Sequence, residues 1–395
     1  MVSRRRPVSA HEDAGAWARA WQQAAAVLAH DAVPAEPGPL AGLRILDLSR
    51  LLPGPMATRH LADLGAEVLK VEPPQPDGAP GDDAARMGAL ASDGFSYFYR
   101  VVNHGKRRVT IDLKRPEGLA QLRALVVEAH ALVEGFRPGV MERLGLRYDA
   151  LAAINPRLTL TSISGYGQDG PMRGVAGHDI NYLALAGLVD QTRAASGDPA
   201  ICHLQIADLL GGAQSAAIGT LAGIVGALLG GRGRWVDVSM TDAVRQHLVT
   251  AGADMLAAGR NTEPGTSLLD GGVPCYNLYR TRDGRWMAVG ALELKFWRAL
   301  CDALERSEWR DRHWSLGEAP GSARARECIN EVAAVFAGRD QAQWVRLFAS
   351  HDCCVTPVLD AYTALFGTSS GVTVDAALQR LTRPALTVRG PAGVR

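Results

Sequence analysis

Short apolar strand patterns alternate with helix patterns over the first half of this 395-residue chain, and this alternation restricts the fold more than any other feature. Strand patterns lie at 43–48, 67–72, 108–113, 158–164 and 235–240, and helix patterns lie at 55–64 and 116–134. Alternating strands and helices form a mostly parallel sheet that helices cover on both faces. The sequence therefore predicts an α/β fold with a large Rossmann-like domain.

The second half of the chain has a different pattern, which predicts a smaller α+β domain. Residues 277–280 and 286–289 form a predicted hairpin, because Asp283-Gly284 between them is a strong turn signal. Helix patterns follow at 294–304, 322–337 and 341–350, and beyond 356 the pattern is irregular. We expect an N-terminal extension at 1–39 (an amphipathic helix at 9–30 and a proline-rich linker), a large domain at 40–262, a small domain at 263–362 and a C-terminal segment at 363–395 that returns to the large domain.

Composition and charge exclude several classes of function. The 42 Lys and Arg nearly balance the 41 Asp and Glu, so there is no electrostatic argument for a nucleic-acid partner. The six cysteines contain no Cys-x-x-Cys pair, which predicts no metal site and indicates reduced thiols in a cytoplasmic protein.

Residues 209–230 carry no charge, but their many glycines favour a buried helix over a membrane span. In one interpretation this helix lies at a dimer interface. No Gly-x-Gly-x-x-Gly follows the first strand, so a nicotinamide or flavin cofactor is not expected.

Two titratable residues, His178 and Asp208, each stand just ahead of an apolar helix pattern. The positive end of a helix dipole favours a neutral imidazole and an ionised carboxylate, and both of these species are bases. Each residue also has a purely structural interpretation, because side chains at these positions cap or pack against helix starts. Glu293 follows the second hairpin strand and, taken alone, is equally well explained as a surface carboxylate.

Basic residues occur in two loops at the ends of predicted strands. One loop is 103–108 and includes Lys106 and Arg107, and the other is 136–139, followed by Arg143. Open α/β sheets usually bind ligands at strand ends, which favours a phosphate and adenine site. Ordinary solvated loop charges explain the same residues equally well from the pattern alone.

The segment Gly177-His178-Asp179-Ile180-Asn181-Tyr182 strongly resembles the signature of α-methylacyl-CoA racemases, which belong to the class III CoA-transferase superfamily. Further matching segments are 61–68, 103–107, 135–145, 165–171, 237–240, 269–272 and 355–359, so that the resemblance covers about residues 40–360. Several of these segments are common to the whole superfamily. The His178 segment and residues 291–293 are the ones that indicate a racemase.

The resemblance implies an interlocked, ring-like homodimer, with each active site between the large domain of one subunit and the small domain of the other. It implies that His178 and Asp208 are the acid/base pair and that Glu293 orients His178. Backbone N–H groups near 208–209 would stabilise an enolate oxygen. The residues implied in binding CoA are Lys106, Arg107, Phe136, Arg137 and Arg143. The substrate would be an acyl-CoA thioester, and no separate cofactor is expected because CoA is part of that substrate.

Two other functions remain open from the sequence. A class III CoA-transferase would use Asp208 as a nucleophile and form an acyl anhydride, but would not need a histidine, so His178 and Glu293 favour the racemase. A non-catalytic acyl-CoA-binding protein is the third hypothesis. It is motivated by the N-terminal extension and by departures from the racemase pattern: Pro73 stands where racemases tend to have an arginine that contacts CoA, and Leu204 stands where they often have asparagine.

Overall fold

The structure, a computed structural model, describes residues 15–27, 38–76, 78–194, 196–368, 371–386 and 388. Its strands are β1 (Ala25–Ala26), β2 (Arg44–Asp47), β3 (Glu67–Glu72), β4 (Arg107–Thr110), β5 (Ala131–Glu134), β6 (Thr159–Ser164), β7 (Trp235–Ser239), β8 (Tyr276–Arg280), β9 (Trp286–Gly290) and β10 (Val355–Pro357).

The helices give the chain most of its regular structure. They are α1 (Ala16–Gln23), α2 (Pro53–Asp63), α3 (Tyr97–Val102), α4 (Pro116–Glu128), α5 (Val140–Arg143), α6 (Tyr148–Ile154), α7 (Asp179–Ala186), α8 (Leu188–Gln191), α9 (Ser215–Gly230), α10 (Met240–His247), α11 (Val249–Ala258), α12 (Leu294–Ala303), α13 (Ala323–Phe336), α14 (Gln341–Phe348), α15 (Ala361–Phe366) and α16 (Val374–Thr382). A π-helical segment, Ala207–Gln214, directly precedes α9.

The chain forms two compact units. The first comprises Met1–Ala186, Cys202–Gln246 and Leu378–Arg395, and the second comprises Gly187–Ile201 and His247–Ala377. Within the second unit, Asn261 Nδ2 donates to Asp190 Oδ2 at 3.1 Å, which ties segment 187–201 to the end of α11. This hydrogen bond joins two parts of the second unit that are about 70 residues apart in the sequence.

The first unit is built on one sheet of seven strands among the described residues, in the order β1-β4-β3-β2-β5-β6-β7. All neighbouring strands from β4 to β7 are parallel, and only β1 runs antiparallel to its neighbour. This confirms the predicted α/β fold with a mostly parallel sheet. The strands β2, β3 and β5 are almost completely buried, as expected for a sheet covered on both faces.

The prediction of one helix over 116–134 is wrong. Helix α4 ends at Glu128, the chain turns at Ala129, and Ala131–Glu134 forms strand β5, which lies between β2 and β6 inside the sheet. A short strand that is buried on both faces has the same continuous apolar pattern as a buried helix, so periodicity does not separate the two. The loop directly after this strand carries Phe136 and Arg137, two of the residues implied in binding CoA.

The N-terminal segment packs on the main body. Trp17 of α1 is buried, and its indole N–H donates to Glu67 Oε2 at 2.7 Å. Strand β1 then pairs with β4 at the edge of the sheet. The expected helix over 9–30 is therefore shorter in the structure, where α1 ends at Gln23; residues 9–14 and 28–30 lie outside the described residues.

Residues 207–230 form one continuous helical stretch that is long and apolar enough to cross a membrane, with 44% of its most apolar window buried inside the protein. Its glycines allow close packing on the sheet, because a Cβ at Gly223 would lie 2.4 Å from Thr159 Cγ2. The hydroxyls of Thr220 and Thr161 are 2.7 Å apart across the same contact. The stretch therefore packs on β6 as a core helix of the first unit.

The second unit has its own core. Strands β8, β9 and β10 form an antiparallel sheet, and the predicted hairpin is confirmed by the register that pairs Arg280 with Trp286. Trp297 of α12, Phe336 of α13 and Trp344 of α14 are buried in one apolar cluster against this sheet. The helices begin and end within two residues of the predicted bounds 294–304, 322–337 and 341–350.

Candidate active site

His178 immediately precedes α7, as the sequence predicts. Its carbonyl accepts the N–H of Asn181 at 2.8 Å, and its own N–H donates to Asn181 Oδ1 at 3.0 Å. Gly177 before it is required, because a Cβ there would lie 2.7 Å from the Tyr182 ring. This local bonding fixes the main chain of His178 and leaves its exposed imidazole without a hydrogen-bond partner among the described residues.

Asp208 lies in the first turn of the π-helical segment Ala207–Gln214, one residue inside the helix and not ahead of it. Its backbone N–H donates to Asp179 Oδ1 at 2.9 Å. Two glycines let this segment approach its neighbours: a Cβ at Gly211 would lie 2.8 Å from Met240 O. The residue that follows His178 therefore caps the helix that carries Asp208, and this bond fixes the two segments relative to each other.

His178 and Asp208 line the same cavity of about 480 Å³, which we call the Asp208 cavity. Its other polar side chains are Arg50, Arg137, Ser164, Tyr166, Arg173, Asn181 and Tyr182. Its apolar wall includes Leu51, Pro53, Phe136, Ile163, Val175 and Met240. The structure thus brings an imidazole and a carboxyl group to one cleft.

The protonation of Asp208 differs from the sequence-based expectation. Burial and the neighbouring charge of Asp179 raise the pKa of Asp208 to about 7. The helix dipole favours the ionised carboxylate, but desolvation disfavours that form more strongly here. Burial and the Asp208 charge also raise the pKa of Tyr182, to about 12. Asp208 is therefore able to hold or release a proton near neutral pH.

The expected oxyanion site at 208–209 is not available in the structure. The Asp208 N–H already donates to Asp179, and the Leu209 N–H donates to the Gln205 carbonyl at 2.9 Å. The prediction failed because a sequence does not show which helix N–H groups are capped by residues far along the chain.

A second cavity, of about 490 Å³, lies at the carboxyl ends of β2 to β5, and we call it the strand-end cavity. It is lined by Leu48, Arg50, Leu51, Val71, Glu72, Pro73, Asp83, Ile111, Asp112, Leu113, Lys114, Gly135, Phe136, Arg137, Val140 and Leu144. Five of these residues also line the Asp208 cavity: Arg50, Leu51, Gly135, Phe136 and Arg137. The two cavities therefore share one wall, formed by the loops after β2 and β5.

Glu134, at the end of β5, holds the loop of that shared wall. Its buried Oε2 accepts the N–H of Phe136 at 2.7 Å. Burial raises the pKa of Glu134 to about 7, and its hydrogen bond with Ser162 opposes that rise. Phe136 and Arg137 are both predicted to bind CoA. They thus stand on a loop whose main chain is held by the buried Glu134 carboxylate.

Two of the predicted phosphate-binding cations have other partners. Lys106 is buried, and its ammonium donates to Asp47 Oδ2 at 2.9 Å and to the carbonyl of Pro55 at 2.7 Å. The Arg107 guanidinium lies over the Trp21 ring and donates to the Trp21 carbonyl. Both residues stand where β4 begins, whereas the two cavities lie where the strands end. Arg143 is exposed at the end of α5.

Glu293 belongs to the second unit and is exposed at the start of α12. The preceding carbonyl, that of Leu292, is 3.1 Å from His313 Nε2 and accepts the indole N–H of Trp314 at 2.8 Å. The backbone next to Glu293 is thus anchored by two rings of its own unit. The Glu293 carboxylate has no hydrogen-bond partner among the described residues of the chain.

Sequence reasoning missed several residues of these cavities. Arg50, Lys114, Arg173 and Tyr166 line them, and Asp179 caps the Asp208 helix. Arg50 stands two residues after the predicted strand 43–48, so its position near a strand end was a signal that could have found it. Among the described residues, no group of three or more His, Cys, Asp or Glu side chains could hold a metal ion.

Comparison of this chain with known proteins finds similarity to members of one family. A model described as CoA-transferase family III matches residues 40–391. Alpha-methylacyl-CoA racemase from Homo sapiens is 35% identical over 321 residues, which cover 81% of this chain and 78% of the human protein. Succinyl-CoA:glutarate CoA-transferase from Mus musculus is 31% identical and covers 78% and 70% of the two chains. The crystal structure of a CAIB/BAIF family protein from Brucella suis has a TM-score of 0.68 at 25% identity, covering 82% of this chain and 85% of that one.

Proposed function

This chain belongs to CoA-transferase family III, and we propose that it interconverts the 2R and 2S epimers of 2-methylacyl-CoA thioesters. The observation that carries the proposal is that His178 and Asp208 line one cavity. The similarity to alpha-methylacyl-CoA racemase, at 35% identity over most of both chains, supports the choice of reaction. The family itself contains both racemases and CoA-transferases.

The chemistry requires two acid/base groups on opposite faces of one carbon. A thioester makes its α-hydrogen acidic, because the carbanion formed on its removal is delocalised as an enolate. His178 removes that proton from one face, and protonated Asp208 delivers a proton to the other face, which inverts the centre. The roles exchange in the reverse direction, and each group contributes roughly 10²–10⁴-fold to the rate.

The raised pKa of Asp208 supports its role as the acid. At about 7, the group is protonated in a large fraction of molecules at neutral pH, which an ordinary surface aspartate is not. Its conjugate base is also strong enough to take a proton back when the reaction runs in reverse. A general acid/base works best when its pKa lies near the operating pH.

The CoA part of the substrate is proposed to bind in the strand-end cavity. This cavity lies at the carboxyl ends of parallel strands, where open α/β sheets bind ligands. Its cations Lys114 and Arg137 carry the charge that phosphates require, and its apolar residues Val71 and Phe136 offer surface to the adenine. Arg143, which is exposed at the end of α5, is proposed to contribute a further positive charge. Lys106 and Arg107 are not included, because other groups of the protein already bind them. CoA enters as part of the substrate, so no further cofactor is proposed.

We also propose that the active chain is an interlocked homodimer in which Glu293 of one subunit orients His178 of the other. The exposed Glu293 carboxylate supports this, because it is available to a second chain. Ile218, Val225 and Leu229 on one face of α9 are 69%, 50% and 85% exposed. An apolar helix face of this kind is typical of a subunit interface.

A CoA-transferase is the second candidate, because relatives with that name are 31–33% identical to this chain. In that reaction Asp208 would attack the thioester carbonyl, form an acyl anhydride and release CoA thiolate. The test is to add hydroxylamine and an acceptor carboxylate to the protein with an acyl-CoA. The proposed racemase gives no hydroxylamine-trapped product at Asp208 and no acceptor thioester. An Asp208 hydroxamate together with a new thioester would identify the transferase instead.

A further inference from the structure

Arg50 lies at the junction of the two cavities of the first unit. Among the residues that line both cavities, Arg50 and Arg137 are the two with a cationic side chain. Arg50 is exposed, and its guanidinium has no ion-pair or hydrogen-bond partner among the described residues. Two residues with guanidinium groups thus line both cavities, on the wall that the cavities share.

Two buried charges hold the main chain on both sides of Arg50. The Lys70 ammonium donates to the Ser49 carbonyl at 2.9 Å, and the Leu51 N–H donates to Asp82 Oδ1 at 3.1 Å. The Lys70 ammonium and the Asp82 carboxylate are 3.1 Å apart, and neither side chain is exposed to solvent. Burying an ion pair costs desolvation energy, so a pair that also fixes a loop indicates that the loop geometry matters.

The backbone at Leu51 is strained, which is further evidence that the loop around Arg50 is held in one conformation. Leu51 has φ +64°, which is the left-handed region that residues with a Cβ rarely adopt. Such a conformation persists only where surrounding contacts impose it, and it is concentrated at ligand-binding sites. Here the contacts are those of Asp82 with Leu51 and of Asp47 Oδ1 with the Ser49 N–H at 2.9 Å.

We propose that Arg50, together with Arg137, binds the diphosphate of CoA. The inference rests on the proposed function only in taking a CoA ester as the ligand. A ligand with its nucleotide in the strand-end cavity and its thioester beside Asp208 must pass the junction where Arg50 stands. The diphosphate is the anionic group between nucleotide and pantetheine, and a guanidinium binds phosphate oxygens in a fixed, two-pronged geometry. Arg50 is therefore a substrate-binding residue that the racemase resemblance does not include.

The test compares the binding of CoA and of dephospho-CoA to Arg50→Ala by calorimetry, without turnover. We expect binding of both compounds to weaken by roughly ten- to a hundredfold, because both contain the diphosphate. Arg232→Ala is the matched control, since Arg232 is also exposed but lines neither cavity. This control variant should bind both compounds like the unmodified protein.

Two results would overturn the assignment. Unchanged CoA affinity in Arg50→Ala would exclude any phosphate contact by this residue. A loss with CoA but not with dephospho-CoA would assign Arg50 to the 3′-phosphate instead. A chain that shows no racemase activity, yet binds CoA and loses that binding in Arg50→Ala, would reject the proposed function and keep this inference.

Discussion

At the scale of single residues, the dipeptide His178-Asp179 links the two proposed acid/base groups. His178 faces the Asp208 cavity, while the Asp179 carboxylate accepts the N–H of Asp208 at 2.9 Å. The same carboxylate helps to raise the pKa of Asp208. The dipeptide therefore provides one acid/base group, His178. Through Asp179 it also positions the second group, Asp208, and raises its pKa.

The two groups should be needed for catalysis but not for holding CoA. We expect His178→Ala and Asp208→Ala each to abolish inversion at carbon 2, a loss of at least about 100-fold, because the one remaining group cannot act on both faces. CoA affinity, measured by calorimetry, should stay within about twofold in both variants. Full racemase activity in either variant would show that the pair is wrongly assigned.

The raised pKa of Asp208 also predicts a pH-dependent effect on stability. The ionised carboxylate is disfavoured in the folded state, where the pKa is about 7 in place of 3.8. Folding therefore loses stability as the pH rises from about 4 through 7, and Asp208→Asn removes this loss. Each pKa unit corresponds to about 1.4 kcal/mol, and partial contact with solvent reduces the effect, so we expect Asp208→Asn to stabilise by about 2 kcal/mol at pH 8.

The measurement is urea unfolding of both proteins at pH 8 and at pH 4. The gain from Asp208→Asn should shrink towards zero at pH 4, because Asp208 is then protonated in the folded state. An equal gain at both pH values would contradict a raised pKa.

The residues that sequence reasoning found and those it missed differ for a physical reason. His178 and Asp208 stand next to helix starts in a recognisable segment, so the sequence alone pointed to them. The raised pKa of Asp208 depends on burial and on Asp179, 29 positions away, which only the folded chain brings together. The protein partners of Lys106 and Arg107 were not predictable either, because a strand pattern does not show which groups of distant segments lie beside its first residues.

At the scale of elements, α9 depends on glycines for its contact with the sheet. A Cβ at Gly223 would lie 2.4 Å from Thr159 Cγ2, and Thr159 is fully buried and cannot move aside. We expect Gly223→Ala to destabilise the protein by about 1–3 kcal/mol in urea unfolding. The matched control is Gly226→Ala in the same helix, where nothing lies within 4 Å of the added Cβ.

The control should be neutral or stabilise by up to about 1 kcal/mol, because alanine has the higher helix propensity. Equal destabilisation by Gly223→Ala and Gly226→Ala would mean that close packing on β6 is not the reason for Gly223.

Most elements were predictable from the sequence because their patterns are local. The hairpin of β8 and β9 has a turn signal, and α13 has a regular apolar face, so both were placed within two residues. Strand β5 was taken as helix because a strand buried on both faces has no alternation. The π-helical segment before α9 was not predicted either, because no residue pattern distinguishes it from an α-helix.

At the scale of the whole molecule, the proposed reaction draws on both units. The first unit holds both cavities and the residues His178 and Asp208, whereas Glu293 belongs to the second unit. In the proposed homodimer the second unit of one subunit completes the site of the other. The scaffold of each unit is independent, since each has its own sheet and its own buried core.

The most direct test of the proposed function is to follow inversion at carbon 2 in deuterated water. A single epimer of a 2-methylacyl-CoA is incubated with the protein in deuterated water. The two epimers are then separated, and the deuterium content of each is measured by mass spectrometry. The proposal predicts that the opposite epimer appears and carries one deuterium at carbon 2, delivered from the second acid/base group. Recovery of the starting epimer alone, with no deuterium in it, would contradict the racemase.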